Sequence, residues 1–215
     1  DDINEGDVFI TNDPWVGAIH PSDVVVISPV HHGGELVAWT AIVMHDADVG
    51  GPVPGSFVVG AADVFGECPL FPPLRLMAGG KYCQDIEDVF LRNSRTPALN
   101  ALNMRARIAC QSVARARLTE LMDRYGADAV KQTFARIQDE VKTVVSRRLA
   151  EIPDGTWSDH VYLDHDGNDP ILYEGFLAVT KTGSKITFDF TGTSPQAPGM
   201  VNGTQSALRG GVMAA

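Results

Sequence analysis

Apolar and β-branched residues gather in three runs near the start of the chain, Val8 to Ile10, Val24 to Val30 and Leu36 to His45, whose length and composition predict β-strands. His32-Gly33-Gly34-Glu35 lies between the second and third and reads as a turn, so those two strands are expected to form a hairpin. From Asp46 to Pro73 the pattern breaks up around Gly50-Gly51-Pro52, Pro54-Gly55, Pro69 and Pro72-Pro73, leaving only short strand-like pieces such as Phe57 to Val59. So long an irregular stretch inside a compact domain is usually functional.

Helical spacing follows. Asp85 to Leu91 fits a short helix, and Thr96-Pro97 supplies a cap and a first-turn proline to a longer one that runs to Tyr125 and stops at Gly126. Leu99, Leu102, Ile108, Val113, Leu118 and Leu121 recur there at roughly helical spacing, with Arg105, Arg107, Arg115, Arg117 and Arg124 around them on an expected solvated face. A further helix is predicted over Ala127 to Glu151, with Val130, Phe134, Ile137, Val141, Val144, Val145 and Leu149 as its buried stripe. After Pro153-Asp154-Gly155 come strands at Thr156 to Leu163, Leu172 to Thr180 and Lys185 to Phe190, divided by Asp166-Gly167-Asn168 and Thr182-Gly183-Ser184 turns. The order predicts an α+β fold: a β-rich part with a long Gly/Pro loop (1–95), a central antiparallel helical hairpin (96–152), and a β-meander leading into another helix near Gln205 (153–215). Opening at Asp1-Asp2 without Met and closing at Ala214-Ala215 inside an apolar stretch, the chain reads as a fragment of a larger catalytic domain.

Composition narrows the partners. With 44% hydrophobic and 20% charged residues the chain is ordinarily globular, and a formal charge of −10 disfavours nucleic acid and anionic membranes. A small molecule or another protein is the expected partner. The three cysteines, Cys68, Cys83 and Cys110, form no CxxC step and read as reduced thiols, which places the chain in the cytoplasm. Nothing resembles an export signal or a membrane span, so the Asn202-Gly203-Thr204 sequon carries no expected role.

Four of the six histidines precede residue 46. His20 and Asp23 form an H-x-x-D step just before the Val24 strand, and His45 closes the next one. If those strands pair antiparallel, all three side chains fall at one end of the sheet. Two imidazoles and a carboxylate suit manganese, iron or zinc with positions left open; the alternative is ordinary satisfied polar residues. His31 and His32 belong to the turn and His160 and His165 to the later strands, all expected to be solvated. Asp46 and Asp48 follow His45 and are candidates for orienting a ligand or accepting a proton, or else for capping the loop. Asp13, in Asn12-Asp13-Pro14, is a weaker candidate for substrate binding against an Asx-turn before Pro14. Arg92 and Arg95, between two predicted helices, are placed to meet an anion. No Walker A sequence, GxGxxG step or GxSxG elbow is present.

The blocks Gly6-Asp7-Val8-Phe9-Ile10-Thr11-Asn12-Asp13-Pro14, Gly17-Ala18-Ile19-His20-Pro21-Ser22-Asp23-Val24, His45 to Gly51 and Pro54-Gly55-Ser56 resemble the hydantoinase B/oxoprolinase family. So do Leu91 to Ala109, Pro153-Asp154-Gly155-Thr156-Trp157 and Phe188-Asp189-Phe190-Thr191-Gly192-Thr193, in order along nearly the whole chain. The family includes N-methylhydantoinases, 5-oxoprolinases and acetone and acetophenone carboxylases. The resemblance implies a separate ATP-using subunit or domain, similar to hydantoinase A, that phosphorylates a carbonyl, and a metal-carrying part like this one that completes the reaction in a hetero-oligomer. It also implies His20, Asp23 and His45 as ligands, matching a carboxylase-branch pattern in type, order and spacing.

The expected activity is ATP-dependent opening of a cyclic amide of the hydantoin or 5-oxoproline type. Two departures keep a ketone carboxylase open. Asp46 stands where hydantoinase-like members often carry a second histidine, and Gly17-Ala18-Ile19-His20 looks more like the carboxylase branch. A noncatalytic scaffold for the ATP-using subunit is the third reading.

Overall fold

The computed structural model describes residues 3–214, so the readings placed on Asp1, Asp2 and Ala215 lie outside the described residues. The chain divides into two compact units, one reaching Ala127 and taken up again from Gly203, the other Asp128–Asn202.

The first unit is built on a five-stranded antiparallel sheet. Its strands are β1 (Val8–Thr11), β2 (Asp23–His32), β3 (Glu35–His45), β4 (Leu74–Ala78) and β5 (Lys81–Tyr82), in the spatial order β3-β2-β1-β4-β5. The hairpin expected between the second and third runs is β2–β3. Gly33 and Gly34 turn it with φ of 60° and 84°, values that suit a two-residue turn and that residues with a Cβ rarely adopt. Strand β4 was not anticipated, because Pro72-Pro73 and Gly79-Gly80 leave too short a run for periodicity to register. Phe57 to Val59, read as strand-like, forms none; the segment from Asp46 to Pro73 holds only 3₁₀ turns at Pro54–Ser56 and Val64–Gly66.

One face of this sheet carries the core. Val8, Ile10, Val24, Val26 and Leu76 pack with Val49 and Cys68 from the long loop, and with Phe90 and Met104 from helices α1 (Gln84–Asn93) and α2 (Pro97–Tyr125). Helix α1 lies against β4, and α2 against β2 and β3.

The face that α2 turns inward is not the leucine stripe. Leu99, Leu102, Val113 and Leu121 are 45%, 63%, 63% and 44% exposed. Asn100, Met104, Arg107 and Gln111 are buried instead, at the alternating four- and three-residue steps of a single helix face. Their polar ends meet carbonyl groups that no apolar side chain could satisfy: Asn100 Nδ2 donates to Asp48 O at 2.7 Å, Arg107 Nη2 to Met44 O at 2.9 Å, and Gln111 Nε2 to Val26 O at 2.7 Å. Arg107, expected on a solvated face, is among the most buried side chains of the unit.

The second unit holds α3 (Ala127–Glu151 by its own bounds) and a three-stranded meander, β6 (Gly155–Leu163), β7 (Tyr173–Thr182) and β8 (Lys185–Asp189), in that spatial order. The meander is as expected. The buried stripe of α3 is not: Phe134, Ile137, Val141 and Val145 are 39–56% exposed, while Val130 is buried. Lys181 ties the end of α3 to β7, its Nζ donating to Ile152 O at 2.5 Å and to Asp154 Oδ1 at 2.7 Å. A last helix, α4 (Gln205–Ala214), begins where the sequence placed one. Antiparallel sheets and segregated helices make the fold α+β, and the helices over 96–152 fall in different units.

Leu76 is fully buried at the centre of the first core, so Leu76→Ala in the full-length protein is expected to lower unfolding stability by about 2–5 kcal/mol. Urea denaturation followed by fluorescence checks it; a change below about 1 kcal/mol would show that this core does not hold the sheet.

Candidate metal centre

The β2–β3 register sets Asp23 directly opposite His45. Direct cross-strand partners share a sheet face, so both side chains leave the same side at the end of the hairpin away from its turn. His20 reaches that end through a tight turn closed by Asp23 N–H donating to His20 O at 3.0 Å. Asp23 Oδ1 then lies 3.3 Å from His20 Nε2 and 3.3 Å from His45 Nδ1, and the imidazole centroids are 4.9 Å apart. The structure therefore brings the three predicted ligands together, one donor atom from each falling within 4.8 Å of the others. Donors held about 2.0–2.2 Å from a single ion are at most about 4.4 Å apart, so the cluster needs little adjustment to close on a divalent cation. The donor set fits as well: Asp23 is 14% exposed and supplies the anion, while His20 and His45, at 47% and 60%, leave one side open to solvent.

The loop carrying His20 is anchored by a residue the sequence reading had not singled out. Asn12 is fully buried; its Nδ2 donates to Pro21 O and to Pro69 O, each at 3.0 Å, and its Oδ1 accepts from Phe71 N–H at 2.7 Å. Its neighbour Asp13 makes the Asx-turn, Oδ1 accepting from Trp15 N–H at 2.8 Å. The same loop presents Trp15, Val16 and Ile19 to solvent at 67%, 53% and 56% exposure.

Beyond His45 the chain turns inward. Asp46 is fully buried, with Oδ1 accepting from Arg107 Nη2 at 2.8 Å and from Asn103 Nδ2 at 2.7 Å. Asp48 is nearly as buried, and both its oxygens are taken: Oδ1 accepts from Gly50 N–H and Arg95 N–H, Oδ2 from Gly55 N–H and Arg95 Nη1. Burial opposes the charge of Asp48, but those N–H groups and the guanidinium outweigh it and hold the carboxyl below the ordinary aspartate range. Neither carboxylate faces solvent, and of the roles open to them, orienting a ligand, accepting a proton or capping the loop, these contacts are those of the loop-capping one. Arg95 is likewise turned into the loop, Nη1 donating to Val53 O at 3.0 Å and Nη2 to Gly51 O at 2.8 Å, so its fork is filled by carbonyls rather than left for an anion. Arg92 is exposed in the last turn of α1. Gly51 shows why this loop needs its glycines: φ is 92°, and a Cβ there would stand 2.1 Å from Glu67 O.

The other histidines are placed elsewhere. His31 and His32 end β2 rather than sitting in the turn, and His32 Nε2 is 2.9 Å from Asp123 Oδ1. His160 pairs with Glu174 in the meander, and His165 is exposed. Cys68, Cys83 and Cys110 are free; burial foremost, with the charges of Glu67 and Asp48, pushes the Cys68 thiol up to about 12.

The sequence profile of the hydantoinase B/oxoprolinase family matches residues 1–215. The chain belongs to that family. It is 34% identical over 168 residues, 78% of its length, to caprolactamase subunit beta of Pseudomonas jessenii, and covers 29% of that protein. To the acetophenone carboxylase delta subunit of Aromatoleum aromaticum it is 29% identical over 204 residues, 94% of this chain and 30% of that one. Its fold matches the crystal structure of the ATP-dependent caprolactamase from Pseudomonas jessenii with a TM-score of 0.93 at 31% identity, over 99% of this chain and 37% of the other. The chain thus spans about three-tenths of the length of these curated relatives. No helix among the described residues is long and apolar enough to cross a membrane.

Because Asp48 is depressed in the fold, its charge contributes stability that is fully present above the unfolded aspartate value, about 3.9, and is lost as pH falls through the folded value. Asp48→Asn in the full-length protein is expected to be less stable than the parent at pH 7, with the gap narrowing below about pH 4. Denaturant midpoints at pH 7 and pH 3 test this; an unchanged gap would remove the charge from the loop's support.

Proposed function

We propose that His20, Asp23 and His45 hold a divalent metal, manganese, zinc or iron, in the catalytic part of an ATP-dependent enzyme that opens a cyclic amide after its carbonyl has been phosphorylated. The convergence of two imidazoles and one carboxylate at an open sheet end carries this reading. The likeness to a protein named caprolactamase favours a cyclic amide as substrate. When bound, such a cation lowers the pKa of water and polarises carbonyl or phosphoryl oxygens.

The chain's own residues would hold and aim. Asp23 lies within reach of both imidazoles and fixes their orientation, and β2–β3 pairing fixes the distance between the ligand backbones. The exposed Trp15, Val16 and Ile19 give the His20 loop an apolar surface suited to the methylene part of a ring substrate. Arg92, exposed at the end of α1, is the candidate for contacting an anionic group, whereas Asp13 and Arg95 support the loops. In keeping with the family, ATP would be used by a hydantoinase A-like subunit or fused domain in a cytoplasmic hetero-oligomer.

A ketone carboxylase is the second reading. The Gly17-Ala18-Ile19-His20 block and the 94% coverage of this chain by the acetophenone carboxylase subunit favour it.

The full-length protein with its ATP-using partner, given ATP and a panel of lactams and hydantoins, is expected to release phosphate and open a ring without bicarbonate. Incorporation of labelled bicarbonate into a ketone, with no ring opening, would replace the first reading by the second. His20→Ala and His45→Ala are each expected to lower turnover on the order of a hundredfold or more and to remove the metal on elemental analysis. Full activity in both variants would leave the chain a noncatalytic scaffold.

A further inference from the structure

We infer that Arg107, acting with Asp46 and Asn103, is a positioning residue for His45, fixing the peptide groups on both sides of that ligand from the opposite face of the sheet; the inference rests on the metal-centre reading above. His45 is the last residue of β3, where a strand is ordinarily free to fray. Here the carbonyl before it, Met44 O, accepts from Arg107 Nη2 at 2.9 Å. The N–H after it, that of Asp46, donates to Ser22 O at 2.8 Å. The Asp46 side chain is drawn down onto the same guanidinium, 2.8 Å away, and onto Asn103 Nδ2 at 2.7 Å. With the peptides on either side of His45 held, the direction of its Cβ is set.

Stability alone does not account for this pair. Both side chains have no exposed surface, and burying two charges costs several kcal/mol per ion before their attraction is counted. The pair is also incompletely satisfied: Arg107 Nε, Arg107 Nη1 and Asp46 Oδ2 are buried without a partner. A neutral amide such as that of Gln111 meets a strand carbonyl without burying a charge, so holding α2 on the sheet does not require an ion pair. The guanidinium provides what an apolar residue cannot, a planar donor joining the strand's last carbonyl to the carboxylate beyond the ligand.

Gln111 supplies the internal control. It lies on the same face of α2, one turn further along, and its Nε2 grips Val26 O, a carbonyl inside β2 that belongs to neither of the peptides flanking His45. The full-length protein carrying Arg107→Lys, Asp46→Asn or Gln111→Leu is titrated with Mn²⁺ alone against a competing chelator, with Mn²⁺ electron paramagnetic resonance and thermal midpoints recorded in parallel. Arg107→Lys is expected to weaken Mn²⁺ binding about 10–100-fold and to broaden the bound-ion spectrum. Gln111→Leu is expected to lower the thermal midpoint while leaving Mn²⁺ affinity within about twofold. Asp46→Asn, which conserves shape, carries the test should the arginine variant not fold, and is expected to weaken binding in the same direction. Parental Mn²⁺ affinity in Arg107→Lys and Asp46→Asn overturns the inference, as does an equal loss in Gln111→Leu. A parent protein that binds none of Mn²⁺, Zn²⁺ and Fe²⁺ when each is titrated in the same way overturns the metal-centre reading and this inference with it.

Discussion

The antiparallel register of β2 on β3 is the constraint on which the site depends. It sets Asp23 against His45 and Val24 against Met44, and a slip of one residue would turn His45 from the open face toward α2. What fixes the register is the core. Val24 and Val26 are fully buried under α2, and any shift would exchange them for their neighbours on the other face. The geometry of the His20, Asp23 and His45 cluster is thus held in part by apolar packing on the other face of the sheet.

The packing is apolar only in part. Helix α2 meets the sheet through Asn100, Arg107 and Gln111 beside Met104; Gln111 donates to a carbonyl inside β2, while Asn100 and Arg107 lie over the start of the irregular loop and the end of β3. Backbone groups in such places have no ladder partner and must be met by side chains. Asp48 does the same from within the loop, collecting N–H groups from Gly50, Gly55 and Arg95 around one buried carboxylate. A segment that reads as flexible from its glycines and prolines is in this way fixed to α1, α2 and β3, and Gly50 and Gly51 are there because a Cβ would strike Asn93 O and Glu67 O.

Local signals in the sequence carried most of this architecture. The hairpin was legible because β-branched runs flank a Gly-Gly turn, the long helices because apolar residues recur at roughly helical spacing between Pro97, Gly126 and Pro153, and the His20, Asp23 and His45 cluster because H-x-x-D precedes one strand and His45 ends its partner. Pairings across long separations were not legible. Asn12 with Phe71, Asp46 with Arg107 and Gln111 with Val26 are 59, 61 and 85 residues apart, and no period or spacing announces them. The same limit misled the reading of α2: leucines at helical spacing identify a face that can be buried, while the face that is buried was chosen by carbonyl groups elsewhere in the chain. Arg107 and Asn103 did lie within the Leu91 to Ala109 block, though amphipathicity alone places Arg107 on the solvated face.

The acidic residues around His45 show a division between holding and reacting. Of Asp23, Asp46 and Asp48, Asp23 is the one with appreciable exposure, at 14%, and it is the one that meets both imidazoles. Asp46 and Asp48 turn away and spend their charge on arginines and N–H groups. An open centre needs that separation. A free carboxylate there would compete with any anion approaching the imidazoles, by repelling it. Burying those charges against Arg95 and Arg107 removes the competition and makes the same residues brace the backbone that carries His45. The exposed surface of the cluster is then left to His20, His45 and one edge of Asp23, a set open to solvent on one side and backed by the sheet on the other.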